Sequence, residues 1–207
     1  MAAVSTTHTY QGVSHIEFFI DDKDALAVAI DTERLHIRPV ASGDLDSYAA
    51  LYGDKDVMGK FATGETKDRA YVENRINNCW VKRWSQKDPY SALAAVKNDG
   101  TDDFVAHVVL GHGDEAGSSE LAYFVTKHLW SQGYGKEAVQ SVVEEYAPAT
   151  VKEGYLLEGK ALTKITATAR PDNPASVKIL EKVGMVKVGE EEKYGALRYN
   201  YALDLKV

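Results

Sequence analysis

Polar and apolar positions alternate through Arg34-Leu35-His36-Ile37-Arg38, the two-residue period of a half-buried strand, and Pro39 limits it. Upstream, His15–Ile20 reads as a strand and Asp21–Asp24 as the turn after it, within an N-terminal extension over residues 1–31. Asp44 is placed to cap a short helix running through Tyr52. Thr66 is the expected cap of a longer helix. There Val72, Ile76, Cys79, Trp80 and Arg83 recur at helical spacing and put four apolar groups on one face.

The period then changes back to two. Tyr90–Val96, Phe104–Leu110 and Ser119–Val125 are strand segments separated by Asn98-Asp99-Gly100 and Gly111-His112-Gly113-Asp114, links of hairpin length that predict an antiparallel meander. A helix begins near Gly133 with the stripe Ala138, Val139, Val142, Val143 and Tyr146, and Pro148 is expected to end it. Residues 149–161 follow no period and read as an insertion. Ile165–Ala169 is a strand, Asn173-Pro174 opens another helix, Gly184 stops it, and Met185–Val188 and Leu197–Leu205 close the chain as strands. The order β-α-α-β-β-β-α-β-α-β-β predicts a mixed α/β (α+β) sheet with helices on both faces.

Composition narrows the function classes. The 207 residues, 44% hydrophobic, suit one substantial core. No apolar run approaches the roughly 20 residues of a bilayer span, so no membrane association is expected. The N-terminus lacks a basic segment followed by an apolar one, which favours a cytoplasmic location. The net charge of −7 and the absence of a Lys/Arg cluster argue against nucleic acid and are compatible with a cationic amine. The single cysteine, Cys79, cannot form an intramolecular disulfide and reads as a small buried hydrophobe. The six histidines are scattered and no HExxH or CxxC pair occurs, so no metal is expected.

The chemistry concentrates between a strand and a helix. In Glu120–Ala138, a strand leads through a short loop into Gly133-Tyr134-Gly135-Lys136. Glycines let a backbone approach a ligand closely. The first amides of a helix have no intrahelical partner, and its dipole adds positive charge there, so a pyrophosphate is held well at such a turn. Gly133–Ala138 also fits the dinucleotide pattern G-x-G-x-x-A. That pattern needs its first glycine directly after a strand of a parallel unit, and here Thr126–Gln132 intervene after an antiparallel run. No Walker phosphate loop is present.

Leu129-Trp130-Ser131-Gln132-Gly133-Tyr134-Gly135-Lys136-Glu137-Ala138 resembles motif A of the GCN5-related N-acetyltransferases, closest to the ribosomal-protein N-terminal acetyltransferase branch. Asn173-Pro174-Ala175-Ser176 through Leu180-Glu181-Lys182-Val183-Gly184-Met185 resembles that branch's second signature, and Thr32–Pro39 its opening. The three segments occur in family order across residues 32–205, with Trp130 and Ser131 departing from the commonest motif A. The resemblance implies an acetyltransferase domain over residues 32–207 with a mostly antiparallel sheet of about seven strands. It also implies acetyl-CoA as cosubstrate, with direct attack by an amine.

On that resemblance Phe124, Val125 and Thr126 bind the pantetheine arm. Gln132, Gly133, Tyr134, Gly135 and Lys136 take the pyrophosphate, and Asn173 both caps its helix and contacts the arm. Glu120 is the candidate general base and Ser176 the candidate donor to the leaving thiolate, with Tyr194 as a fallback acid. The acceptor is expected to be a peptide N-terminus, including that of a ribosomal protein, or a small amine or polyamine, and the protein a monomer or homodimer. Two other classes remain: an NAD(P)-dependent oxidoreductase using the glycine turn, and a non-catalytic acyl-CoA sensor.

Overall fold

The computed structural model describes residues 6–10 and 13–205. Strands are β1 (Thr6–Tyr10), β2 (Val13–Ile20), β3 (Leu26–Thr32), β4 (Leu35–Pro39), β5 (Ala92–Lys97), β6 (Phe104–His112), β7 (Ser118–Val125), β8 (Leu156–Leu157), β9 (Lys160–Ala161), β10 (Lys164–Ala169), β11 (Val186–Lys193) and β12 (Ala196–Asp204). Helices are α1 (Leu45–Gly53), α2 (Lys55–Met58), α3 over residues 69–85, α4 over residues 134–152 and α5 (Pro174–Lys182).

Ten strands form one sheet in the order β1-β2-β3-β4-β5-β6-β7-β10-β12-β11. Every neighbouring pair is antiparallel except β7 and β10. The strands from β4 onward number seven, and β1–β3 extend the sheet beyond β4. Alternation along β5 divides the core between the two faces. Leu93 and Ala95 pack with α4 and α5, whereas Ala92 and Ala94 pack with α1–α3.

Several local expectations change. Asp44 sits at the N-cap of α1, but its carboxylate is held by Arg38 at 2.7 Å and by the Ala41 amide at 2.8 Å instead of capping. The longer helix is capped by Asp68, which accepts from Tyr71 N–H, and not by Thr66. Within α3 a π turn over Ile76–Val81 shifts the stripe, so Val72, Ile76, Trp80 and Trp84 are buried. Arg83 donates to Tyr90 O, and Cys79 is half-buried beside Arg75.

Pro148 does not end α4, which continues to Lys152. The turn just before it, Ser141–Tyr146, is π-wound, with Ala147 N–H donating to Val142 O. The hydrogen-bond ladder is thus already rearranged where the proline lacks its donor. The segment 149–161 is the end of this helix followed by the small β8–β9 hairpin.

Candidate active site

The site begins where two strands part. The parallel strands β7 and β10 pair only through Ser118–Lys164, Ser119–Ile165 and Glu120–Thr166. Beyond these the strands diverge, and β7 has a partner on its β6 side alone. Thr126 N–H donates to Val105 O in β6 at 2.9 Å, and Phe124 lies opposite His107 in the same register. Backbone alternation therefore turns the peptide groups of Phe124 and Thr126 toward β6, and those of Tyr123 and Val125 toward the opening. Of Phe124, Val125 and Thr126, Val125 alone presents its peptide groups to the gap. Its carbonyl accepts from Trp130 Nε1 at 2.7 Å.

A cavity of about 620 Å³ fills the opening. Phe124, Val125, Gly133, Gly135, Lys136, Asn173 and Ser176 line it, together with Tyr123, Trp130, Lys178 and Ile179. Thr126, Gln132 and Tyr134 lie outside that lining. Thr126 Oγ1 bonds Val105 O, the Gln132 carbonyl accepts from Arg34 Nη1, and the Tyr134 ring lies 4.4 Å beneath the Arg34 guanidinium.

The start of α4 is fixed from outside the helix. Glu137 accepts from Thr32 Oγ1 at 2.6 Å and from Arg34 N and Nε at 3.0 and 2.7 Å, which ties the first turn to the β3–β4 connection. Ser131 and Gly133 both have positive φ, 62° and 88°, and so redirect the chain into the helix. At Gly135 a Cβ would stand 2.9 Å from Val125 Cγ2, so glycine is what lets helix and strand approach. The first-turn amides lack intrahelical acceptors and lie at the cavity wall. Lys136 and Lys178 add positive charge and have no carboxylate within ion-pair distance among the described residues, whereas Lys60 pairs with Asp172. Such a rim fits a long ligand with an anionic phosphate end.

The opposite wall is the start of α5. Asn173 Oδ1 accepts from Ser176 N–H at 3.3 Å, and Pro174 occupies the first helical position. Ser176 Oγ lies 2.9 Å from Tyr123 Oη. Burial pushes the Tyr123 phenol up to about 12, with the Ser176 bond opposing that rise, so it remains protonated near neutrality.

Glu120 is exposed on the other face of the sheet, with Ala122 and Phe124, and does not line the large cavity. It borders an adjoining pocket of about 90 Å³ together with Phe61, Thr168 and Arg198. Phe124, Asn173 and Ser176 are shared by both cavities, so the two meet at Ser176. Tyr194 is exposed on the turn between β11 and β12, with φ 57°. Among the described residues no cluster of three or more His, Cys, Asp or Glu is placed to hold a metal, and no helix is long and apolar enough to cross a membrane.

Behind Phe124 lies an aromatic nest. His107 is fully buried among Tyr48, Tyr52, Trp80 and Phe124. Tyr48 donates to Leu93 O at 3.3 Å and so accepts from His107 Nδ1–H at 2.9 Å, which leaves Nε2 bare and, among the described residues, unpartnered. Burial lowers its pKa to about 3.

Sequence reasoning did not single out Tyr123, Lys178, the Arg34–Glu137 tether or Arg198. Tyr123 is one residue from Phe124, and strand alternation shows that it faces the other side. Lys178 sits two residues past Ser176 on the same helix. The tether spans 103 residues of chain and the Arg198 hydrogen bonds 30 and 136, so neither carries a local signal.

A splayed sheet, an anion-ready helix start and an adjoining polar pocket define a transferase-type site for a long phosphate-bearing donor. The chain belongs to the family described as Acetyltransferase (GNAT) domain, whose model matches residues 34–186. It is similar to the uncharacterized protein YkkB of Bacillus subtilis (strain 168), at 24% identity over 157 residues, covering 74% of this chain and 83% of that protein. In fold it resembles a GNAT-family acetyltransferase from Bacillus anthracis, with TM-score 0.68 and 22% identity over 85% of this chain and 98% of the other. It also resembles the ribosomal-protein-S5-alanine acetyltransferase of Vibrio fischeri, with TM-score 0.66 and 16% identity over 85% and 96% of the two chains. The antiparallel run β4–β7 before the glycine turn lacks the parallel opening unit of a dinucleotide fold, which removes the basis for the oxidoreductase alternative.

Proposed function

We propose that this protein acetylates a primary amine with acetyl-CoA. The amine is a peptide N-terminus, as in the ribosomal-protein acetyltransferase branch, or that of a small molecule. The observation that carries the reading is the opening of β7 from β10, bounded by the starts of α4 and α5. The cosubstrate supplies an activated thioester. The first-turn amides of α4, with Lys136 and Lys178, hold its phosphates, and the exposed edge of β7 at Tyr123 and Val125 aligns its arm.

Glu120 takes the amine proton from the opposite face, directly or through one water. A peptide N–H on the open edge of β7 stabilises the developing oxyanion. Ser176, oriented by Tyr123 and by its helix cap, donates to the departing thiolate. The amine thus gives up one proton and the thiol gains one.

Acetyl-CoA is expected to raise the melting temperature while NAD leaves it unchanged, and thiol release is expected with at least one amine from a screen of peptides and small amines. Glu120→Gln is expected to lower turnover far more than acetyl-CoA affinity. Binding without thiol release toward any amine would favour the acyl-CoA sensor instead, and melting insensitive to acetyl-CoA would remove both readings.

A further inference from the structure

The face of the sheet that carries Glu120 also holds a charged group with no direct ion-pair partner among the described residues. Thr166 lies opposite Glu120 across the β7–β10 pairing, and Thr168 lies opposite Asn200 across β10–β12. Alternation along each strand puts Glu120, Thr166, Thr168, Asn200 and Arg198 on one face. Arg198 is 3% exposed, yet no carboxylate comes within ion-pair distance of it among the described residues. Its guanidinium makes two hydrogen bonds, both to neutral acceptors, Nη1 to Thr168 Oγ1 at 3.2 Å and Nη2 to Ala62 O at 3.3 Å; it also lies 5.4 Å from the centre of the Tyr194 ring, and Nε has no hydrogen-bond partner among the described residues. Asn200 Oδ1, two residues along the same strand, is also buried without a hydrogen-bond partner among the described residues.

A buried, always-charged guanidinium with no carboxylate in direct contact is unfavourable, and an anion brought into contact would relieve it. Burial lowers its pKa; Tyr194 opposes that, Arg170 adds to it, and the carboxylates of Glu120 and Glu191 oppose it only from beyond ion-pair distance. Arg198 lines the same small pocket as Glu120 and Ser176, beside the point where the two cavities join. An amine that reaches Glu120 through this pocket lies beside the guanidinium.

We infer that Arg198 is a specificity residue that binds a carboxylate carried close to the accepting nitrogen, so the acceptor is an amino-carboxylate and not a polycationic amine. This rests on the acetyltransferase reading above and names the substrate class of that site. The carboxylate belongs either to a free amino acid or to an acidic side chain at the start of a peptide. A planar carboxylate accepts two parallel N–H bonds from the guanidinium, which a single neutral acceptor cannot reproduce.

The test uses matched probes: α-amino acids, their α-carboxamides, the corresponding amines without the carboxyl, and short peptides opening with Asp or Glu against the same peptides opening with Asn or Gln. Thiol release is measured for each with acetyl-CoA, and melting of the protein is followed with each probe, both with and without CoA. The expected result is a preference of roughly tenfold or more in kcat/KM for the carboxylate members of one set. Arg198→Met should erase that preference through KM, while acetyl-CoA still raises the variant's melting temperature. Arg198→Lys, which keeps the charge but not the fork, should recover only part of it.

Free amino acids and acidic peptides are separated by which set responds. Equal or better acetylation of neutral or polycationic amines would overturn the inference. So would a carboxylate preference that survives Arg198→Met, or the absence of any carboxylate-dependent melting shift in the unaltered protein. Because that shift is read without turnover, it stands or falls separately from acetyl transfer, and it does not depend on the variants folding.

Discussion

At the scale of single residues, the buried imidazole of His107 has the clearest consequence. Its folded-state pKa of about 3 lies well below the ordinary value of 6.5, because a proton on Nε2 would have to be held inside an aromatic nest. Above pH 6.5 the ring is neutral in both folded and unfolded chains, so stability there is undiminished. As pH falls from about 6.5 toward about 3, the unfolded chain binds a proton that the folded chain refuses, and stability falls by about 1.4 kcal/mol per pH unit. His107→Phe keeps an aromatic ring beside Tyr48 and Phe124 and removes that proton linkage. Urea midpoints measured from pH 4 to 7 should show a shallower acid loss in the variant than in the parent, and parallel curves would show that the ring titrates normally. The nest backs Phe124, which lines both cavities.

At the scale of elements, α4 joins packing to binding. The sequence marks Gly135 as a glycine suited to a phosphate turn, and the structure shows that it lets Val125 approach, 2.9 Å from the place of a Cβ. Substituting it therefore disturbs helix–strand packing as well as any anion. Lys136 and Lys178 separate the two effects, since both are exposed and unpaired among the described residues. Lys136→Ala and Lys178→Ala should each weaken acetyl-CoA by roughly fivefold, and more at low salt, without changing kcat/KM for acetyl-pantetheine, which has no phosphate tail. Equal losses with both donors would place the lysines outside the phosphate site. Motif-bearing elements could be read because their signals are local: Asn173-Pro174 as a cap, Gly133 as a turn, alternation in Ser119–Val125. Asp68 in place of Thr66, the π turns and the passage of α4 through Pro148 were not legible, since each follows from how a long helix is seated against the sheet. Nor was the sheet-edge direction of Tyr123 against Phe124, which depends on strand register.

At the scale of the whole molecule, the family match starts at residue 34, but the core does not. Ile16, Phe18, Leu26, Val28 and Ile30 are all at most 3% exposed and belong to the same apolar cluster as α4 and β5. Phe18 stacks on Tyr146 at 5.7 Å and leans on Tyr155 at 5.5 Å. Burying each such side chain contributes about 1.5–3 kcal/mol, so the five together are comparable with the roughly 5–15 kcal/mol by which a whole domain is stable. The connection from β3 to β4 also holds the start of α4, through Thr32 and Arg34 on Glu137, so loosening the strand before it loosens the glycine-turn end of the cleft. A chain beginning at residue 32 retains every motif and the entire family match, and is nonetheless expected to aggregate or to melt far below the full chain. What remains folded should show little stabilisation by acetyl-CoA. The opposite outcome, an unchanged melting temperature with a full acetyl-CoA shift, would mean that β2 and β3 merely lie against a domain already complete without them. The buried ring of Phe18 between two tyrosines argues that they complete it.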